Sequence, residues 1–437
     1  MLYGNAVIVT MDEERNIYAP GALLIKEGKI ADVGKDKALR EMYPHETVRD
    51  MEGKILFPGL INAHTHTPMA LFRGLADDLP LNTWLKEYIW PMENKMVNPE
   101  FIQWGGLLGI LEMIASGTTA FNDMYFYQDV LGQAVKQSGM RAVLGQGLID
   151  FPTPEAKNPE EGIQRLQTLL ESWEDDEQVD ISVCAHAPYT CSSELLKKAF
   201  RLSEKYHAPF HIHVAETRQE AELIKEKKHD ESIVGYLERL GLLDSHVTAA
   251  HCVWISEPDM EILQKRKVKV AHNPTSNLKL ASGTAPLHLM LKHGLTVALG
   301  TDGAASNNSL DLFREIRLAA LLSKGLQEDP ELIPAYQALE MATVNGARAL
   351  GIDDKTGSLE IGKEGDFIVI NTSDPSMQPL YRPVSHLVYT VGREHVEEVF
   401  VSGRLLYRKG EYFTLDASLI LEKSHEIAQR IRKESGI

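Results

Sequence analysis

The sequence predicts an α/β protein: a (β/α)8 TIM barrel carrying a small β-sandwich domain built from both termini. Three observations carry that prediction. Eight apolar, β-branched runs lie at about 56–66, 118–123, 141–148, 181–186, 209–215, 246–251, 268–272 and 295–301. Amphipathic stretches of helical length separate many of them, the rhythm of alternating strands and helices. Nearly every run closes on a histidine, a carboxylate or an amide, at the strand ends where barrels place their chemistry.

Taken in order, the first 57 residues read as short strands joined by polar turns: NAVIVTMD, ALLIKEGKIADVG with Glu27-Gly28 at a hairpin turn, and GKILF. The far end matches, with GDFIVIN and then VEEVFVSGRLLYRKGEYF turning at Ser402-Gly403. Segments 1–57 and 366–437 are therefore expected to pair into one discontinuous β-domain, with 58–365 as the barrel. Within the barrel, helices are expected near 160–174, 193–206, 217–240, 256–266, 311–323 and 330–350. The acidic run Glu174-Asp175-Asp176-Glu177 reads as a solvated helix end.

Composition narrows the class. Hydrophobic residues make up 43% and charged residues 24% of 437 positions, as in ordinary globular proteins that bury a large core. A formal net charge of −17 repels a phosphate backbone and argues against nucleic-acid partners, though not against a nucleoside. No run of 18 apolar residues exists, so no membrane span is expected. The start, MLYGNAVIVTMDEERN, lacks the basic and apolar regions of a signal peptide. Cys184, Cys191 and Cys252 are odd in number and without C-x-x-C spacing, which points to buried thiols in a reducing cytoplasm.

The strand ends carry the chemistry. The first run ends in His64-Thr65-His66, two imidazoles that share a face on an extended strand. The pair alone is weak evidence, since 16 histidines would give about 0.6 such pairs by chance. The following runs end in Asn122-Asp123, near Gln146, at His186, at His213 with Glu216 three residues on, at His251, at His272-Asn273 and at Asp302. Three imidazoles and a carboxylate, His64, His66, His213 and Asp302, suit one divalent metal with a position left for water. Zinc is the first expectation, with Fe, Mn and Ni tolerated by the same ligands. Glu216 stands where a carboxylate can shuttle protons; its rival reading is a capping acid of the next helix. His251 either orients and deprotonates the water or is a satisfied core histidine. Asp302 has a second use as acceptor of the water's proton. The fourth run, ISVCAHAPYT, holds no lysine to bridge two metals, so the site is expected to be mononuclear, with His186 free to meet substrate. His211 reads as core or supporting, and His272 stops short of the strand end. His207, His229, His288 and His293 read as surface residues.

These residues resemble the amidohydrolase superfamily and its metal-dependent deaminase branch, most closely the 5′-methylthioadenosine/S-adenosylhomocysteine deaminases. The match runs through PGLINAHTHTPMALFRGLADDLPLNTWL, SGTTAFNDMY, HAPYTCS, HVAET, AHCVW, HNPTSNLKLASG, GTDGAASNNSLDLFREIRLAALL and KEGDFIVIN. The resemblance implies His64, His66, His213 and Asp302 as metal ligands, and Glu216 as the group that protonates the purine while hydroxide attacks C6. It implies proton handling by His251 and Asp302, purine contact by His186, and a nucleoside site lined by Trp84 and Glu93, with Glu93 on the ribose hydroxyls. Without it, Trp84 reads as a lid-helix core residue and Glu93 as a surface acid. Family members that accept a homocysteine carboxylate tend to carry arginine near the end of the third strand, where this chain has Gln146. An amide cannot make arginine's charged fork, even with Arg165 nearby, so S-adenosylhomocysteine is expected to be the weaker substrate. The same barrel and metal site would serve a guanine or s-triazine aminohydrolase or chlorohydrolase. A binding protein on a degenerate barrel would lack a ligand or proton carrier, and none is missing. The H-x-E with P-C-x-x-C signature of cytidine deaminases is absent. Barrel deaminases are often multimers, so a homo-oligomer is expected.

Overall fold

The computed structural model describes residues 1–227 and 232–436, so His229 lies outside the described residues. All eight expected runs form strands of one parallel sheet: β1 (Leu60–Thr65), β2 (Thr118–Tyr125), β3 (Arg141–Leu148), β4 (Val179–Ala185), β5 (Phe210–Val214), β6 (Val247–His251), β7 (Lys269–His272) and β8 (Val297–Leu299). They pair in sequence order from β1 to β8. The barrel closes where the Asp302 amide donates to the His64 carbonyl at 2.9 Å and the Thr301 amide donates to Asn62 Oδ1 at 3.0 Å.

Register decides what fills the interior. His213 pairs with Ala250, Ala250 with Ala271 and Ala271 with Ala298, so these residues share one face. That face looks inward. The alanines cluster with Ile61, Ala63, Ala120 and Val143, and Ala347, Leu350 and Ile352 close the cluster at the N-terminal ends of the strands. The helix Val344–Leu350 is pinned there by Thr248 Oγ1 donating to the Ala349 carbonyl at 2.8 Å. Small side chains at the floor leave the larger, polar ones to the C-terminal rim.

Strands from both ends of the chain form the flank. One continuous nine-stranded sheet orders Glu411–Tyr412, Arg404–Arg408, Val396–Val401, Phe367–Asn371, Lys54–Pro58, Leu2–Val9, Ile17–Lys26 and Lys29–Lys35, with Val48–Asp50 beside Leu2–Val9. It curls over a core of Tyr3, Ile8, Leu23, Leu56, Phe367 and Phe400, where the Phe367 and Phe400 rings stack at 4.4 Å. Strand Lys54–Pro58 runs into β1 across Gly59. Any side chain at Gly59 would force its neighbours apart, because a Cβ there would sit 2.1 Å from Thr119 Oγ1. Arg141, buried at the start of β3, ties the two sheets together through Asp366 and Glu364, each at 2.9 Å.

Helix starts follow their caps: Asn158, Ser192, Ser256 and Asp311 each accept a backbone N–H at the head of the helix that follows. Where one helix was expected over 330–350 there are two, Ala335–Met341 and Val344–Leu350. The stretch 217–240 likewise holds Arg218–Lys227 and Ile233–Leu240. Helix Pro99–Ala115 gives no amphipathic signal because it is apolar nearly all round, packed between the chain after β1 and the C-terminal helix Ala417–Ser435. No helix among the described residues is long and apolar enough to cross a membrane.

Candidate active site

The strand ends converge on one cavity lined by His66, Trp84, Glu93, His186, His213, Glu216, His251 and Asp302, with an apolar wall that includes Leu85, Phe126 and Ile149. Backbone strain marks the rim. Ala215, His251 and Asp302 all adopt positive φ, at 50°, 74° and 62°, which non-glycine residues enter only when their surroundings impose it.

Each imidazole is anchored through Nδ1, which leaves Nε2 to point at the centre. His64 Nδ1 shares a hydrogen bond with His211 Nε2 at 2.9 Å, so the supporting role read for His211 is where the structure puts it. His213 Nδ1 donates to the His186 carbonyl at 2.7 Å, and His66 Nδ1 meets the Met124 carbonyl. Asp302 is held as firmly. Ser276 and Ser306 donate to Oδ2 at 2.6 and 3.0 Å, and the Gly303 amide donates to Oδ1 at 2.8 Å. That Oδ1 lies 3.4 Å from His64 Nε2 and 3.2 Å from His66 Nε2.

This donor set fits a divalent cation. The ligand atoms of His64, His66 and His213 lie within 4.8 Å of one another, as do those of His64, His251 and Asp302. His64 Nε2 is fully buried and has no hydrogen-bond partner, an orphan that a cation satisfies. Burial lowers His64 to a pKa of about 4 and holds His213 well below the usual range, so both stay neutral. Burial works against charge on His66 too, yet Asp302 outweighs it and raises His66 to about 9. Burial works against charge on Asp302 as well, yet the imidazoles of His64 and His66 facing its carboxylate outweigh it and hold Asp302 well below the usual carboxylate range. The buried pair thus shares a proton where a cation would compete with it.

Glu216 sits apart from these donors. Burial first and then the Asp302 charge raise it to about 8, so it is protonated at neutral pH. Ser282 Oγ donates to its Oε1 at 3.4 Å, and its backbone N–H donates to Glu220 Oε2 at 2.8 Å. His251 Nε2 stands 3.8 Å from Glu216 Oε2, with burial lowering the ring to about 4. His186 lines the cavity with its Nδ1 2.7 Å from Thr190 Oγ1.

Two residues that local pattern alone would leave elsewhere are cavity residues. Trp84, in the π-helical turn Trp84–Ile89, forms the wall. Glu93 is buried beside it, accepts the Tyr125 hydroxyl at 2.7 Å, and is raised by burial to about 7. Gln146 is a correction. Its neighbour Gly147 lines the cavity, whereas the Gln146 side chain faces a separate outer recess shared with Glu155 and Arg165 and donates to Glu155. Alternation along β3 explains the difference: residues 145 and 147 point in, so 146 points out. His272 is buried and does not line the cavity, and His293 bonds Glu257 at 3.0 Å. Sequence reading missed Ser276, Asn277, Ser282, Glu220 and Tyr125. The signal was present in HNPTSNLKLASG, whose polar residues are too dense for a plain connection.

The amidohydrolase family model matches residues 55–406, most of the chain and all of the barrel. The chain belongs to the amidohydrolase family. Among its relatives, a 5-methylthioadenosine/S-adenosylhomocysteine deaminase of Aquifex aeolicus is 46% identical over 94% of each chain. A 5'-deoxyadenosine deaminase of Methanocaldococcus jannaschii is 43% identical over 96% of this chain and 99% of its own. The crystal structure of an adenosine deaminase from Xanthomonas campestris with bound zinc superposes with a TM-score of 0.95, at 36% identity, covering 99% of this chain and 98% of that one. This amidohydrolase is a hydrolytic deaminase with a histidine-rich site for a divalent metal.

Proposed function

We propose that the chain deaminates 5′-modified adenosines to the inosine derivatives plus ammonia, with His64, His66, His213 and Asp302 holding one zinc ion. Such a cation supplies Lewis acidity, which brings the pKa of water from about 15.7 towards 7. Protonated Glu216 donates to the purine ring nitrogen, which makes the neighbouring C6 electrophilic. His186 and Trp84 hold the base, and the apolar wall of Leu85, Phe126 and Ile149 gives the cavity a water-poor side. Glu93 accepts the ribose hydroxyls.

The observation that carries this reading is the pairing of the metal-ligand cluster with buried Glu93 in one cavity, since a planar guanine or triazine has no hydroxyls for that carboxylate. Phe126 and Ile149 give the cavity an apolar wall that suits an uncharged 5′ substituent, and no lysine or arginine lines it among the described residues. The expectation that S-adenosylhomocysteine is the weaker substrate thus rests on the missing cation rather than on Gln146. Three free, buried cysteines agree with a cytoplasmic setting. Homo-oligomerisation belongs to the same reading and is measured by light scattering.

Ammonia release from the metal-loaded enzyme, measured across adenosine derivatives, guanine and aminotriazines, tests the proposal. 5′-Methylthioadenosine or 5′-deoxyadenosine should give the highest kcat/KM. No release from any adenosine derivative would overturn the assignment, and a clear preference for S-adenosylhomocysteine would overturn the selectivity.

A further inference from the structure

Two groups beside Glu216, His251 and Asp302, stand where either could take the proton of the attacking water. The hydrogen bonds behind His251 separate them. Its Nδ1 meets two side-chain amides, Asn277 Nδ2 at 2.8 Å and Asn273 Nδ2 at 3.4 Å. The Asn273 amide is oriented by a group that can only accept: the Ala271 carbonyl lies 3.3 Å from the same Nδ2. Turned over, that amide would push its oxygen against a carbonyl oxygen. Asn273 therefore presents N–H to the ring, and a hydrogen on Nδ1 would face it. Nδ1 is left to accept, Asn277 donates to it, and the neutral imidazole carries its hydrogen on Nε2. The other edge of the ring agrees. Nε2 is the edge turned to the cavity, 3.8 Å from Glu216 Oε2, and the ring groups with Asp302, whose oxygens can accept an N–H. All three side chains are buried, at 0% for Asn273 and 1% for Asn277 and His251, so bulk water does not compete for these bonds.

We propose that Asn277 is a positioning residue that locks His251 as the Nε2–H tautomer, making His251 a hydrogen-bond donor to the attacking oxygen and leaving Asp302 to take the water's proton. The proposal rests on the deaminase reading. In the addition step the O–C6 bond forms, the water's proton goes to Asp302 and the Glu216 proton goes to the ring nitrogen. In the elimination step the Asp302 proton passes to the amino nitrogen, the C6–N bond breaks, and the oxygen's remaining proton returns to Glu216. His251 neither gains nor loses a proton.

Nitrogen NMR of isotope-labelled histidine in the metal-loaded enzyme, with His251 assigned through His251→Gln, reads which ring nitrogen carries the hydrogen. Nε2 is expected; a hydrogen on Nδ1 overturns the proposal. An Asn277→Asp substitution, whose carboxylate can only accept, should draw the hydrogen to Nδ1. It should cut kcat by about 10²-fold or more while KM and metal content stay unchanged. Asn277→Ala leaves Asn273 as the remaining donor and should keep the Nε2 signal and more of kcat. Wild-type kcat in Asn277→Asp, or a slower Asn277→Ala than Asn277→Asp, overturns the lock. The tautomer is read without turnover, so an Nε2 signal in an enzyme that releases no ammonia from adenosines counts against the deaminase reading and not against the lock.

Discussion

Glu216 is a carboxylic acid kept protonated by burial at a pH where an exposed glutamate is fully ionised. Glu216→Gln preserves shape and removes the transferable proton, so kcat should fall by about 10²- to 10⁴-fold. Metal content, measured by elemental analysis, should not change; metal loss would mean that Glu216 is a ligand. Glu93 makes a separate, pH-dependent prediction. Its pKa is raised to about 7, so it is neutral below that value and anionic above it. The anion accepts hydroxyls more strongly, so KM for a ribonucleoside should fall as pH rises through about 7. A 2′,3′-dideoxy substrate should show no such trend, and an equal trend in both would remove Glu93 from the ribose. At this scale the histidines and Asp302 were legible because strand periodicity fixes which side chains share a face. Gln146 was misread because proximity to a strand end was weighed without its alternation, with Gly145 and Gly147 on either side. Ser282 and Asn277 were passed over: HNPTSNLKLASG is conspicuously polar, but so short a helix and turn have no period to say which of its side chains face the site.

At the scale of elements, one connection does much of the positioning. The segment after β7 supplies Ser276 to Asp302, Asn277 to His251 and Ser282 to Glu216, so a single stretch touches all three groups. Trp254, after β6, steadies it by donating from its indole to the Ser282 carbonyl at 2.6 Å. Most strands of both sheets were legible from apolar runs and turn residues, whereas the three-residue strand Val48–Asp50 carries no such run. Helix Pro99–Ala115 was not, because a helix buried on most sides loses the polar face that marks it. The passage from strand Lys54–Pro58 to β1 makes the next prediction. Gly59→Ala forces a methyl against Thr119, which should destabilise the protein by about 1–3 kcal/mol, read as a lower midpoint of thermal unfolding. An unchanged midpoint would mean that the two strands can part without cost.

At the scale of the whole molecule, the two ends of the chain meet beside the barrel, and the strand that unites them runs directly into β1, the strand that leads to His64 and His66. Strand Phe367–Asn371 pairs along Lys54–Pro58, which continues through Gly59 to His64 and His66. This continuity makes the last part of the chain thermodynamically linked to cation affinity. A ligand that binds only the ordered donors stabilises them by about 2.7 kcal/mol at a hundred times its Kd. Peeling strand Phe367–Asn371 from Lys54–Pro58 loosens the run into β1, so a bound cation opposes it. Protease nicking after residue 366 should therefore slow on adding zinc and speed on chelation, and a chain clipped there should hold zinc more weakly by the reciprocal factor. Equal nicking rates with and without the metal would break the link. With the link intact, cation affinity reports whether strand Phe367–Asn371 is seated beside Lys54–Pro58.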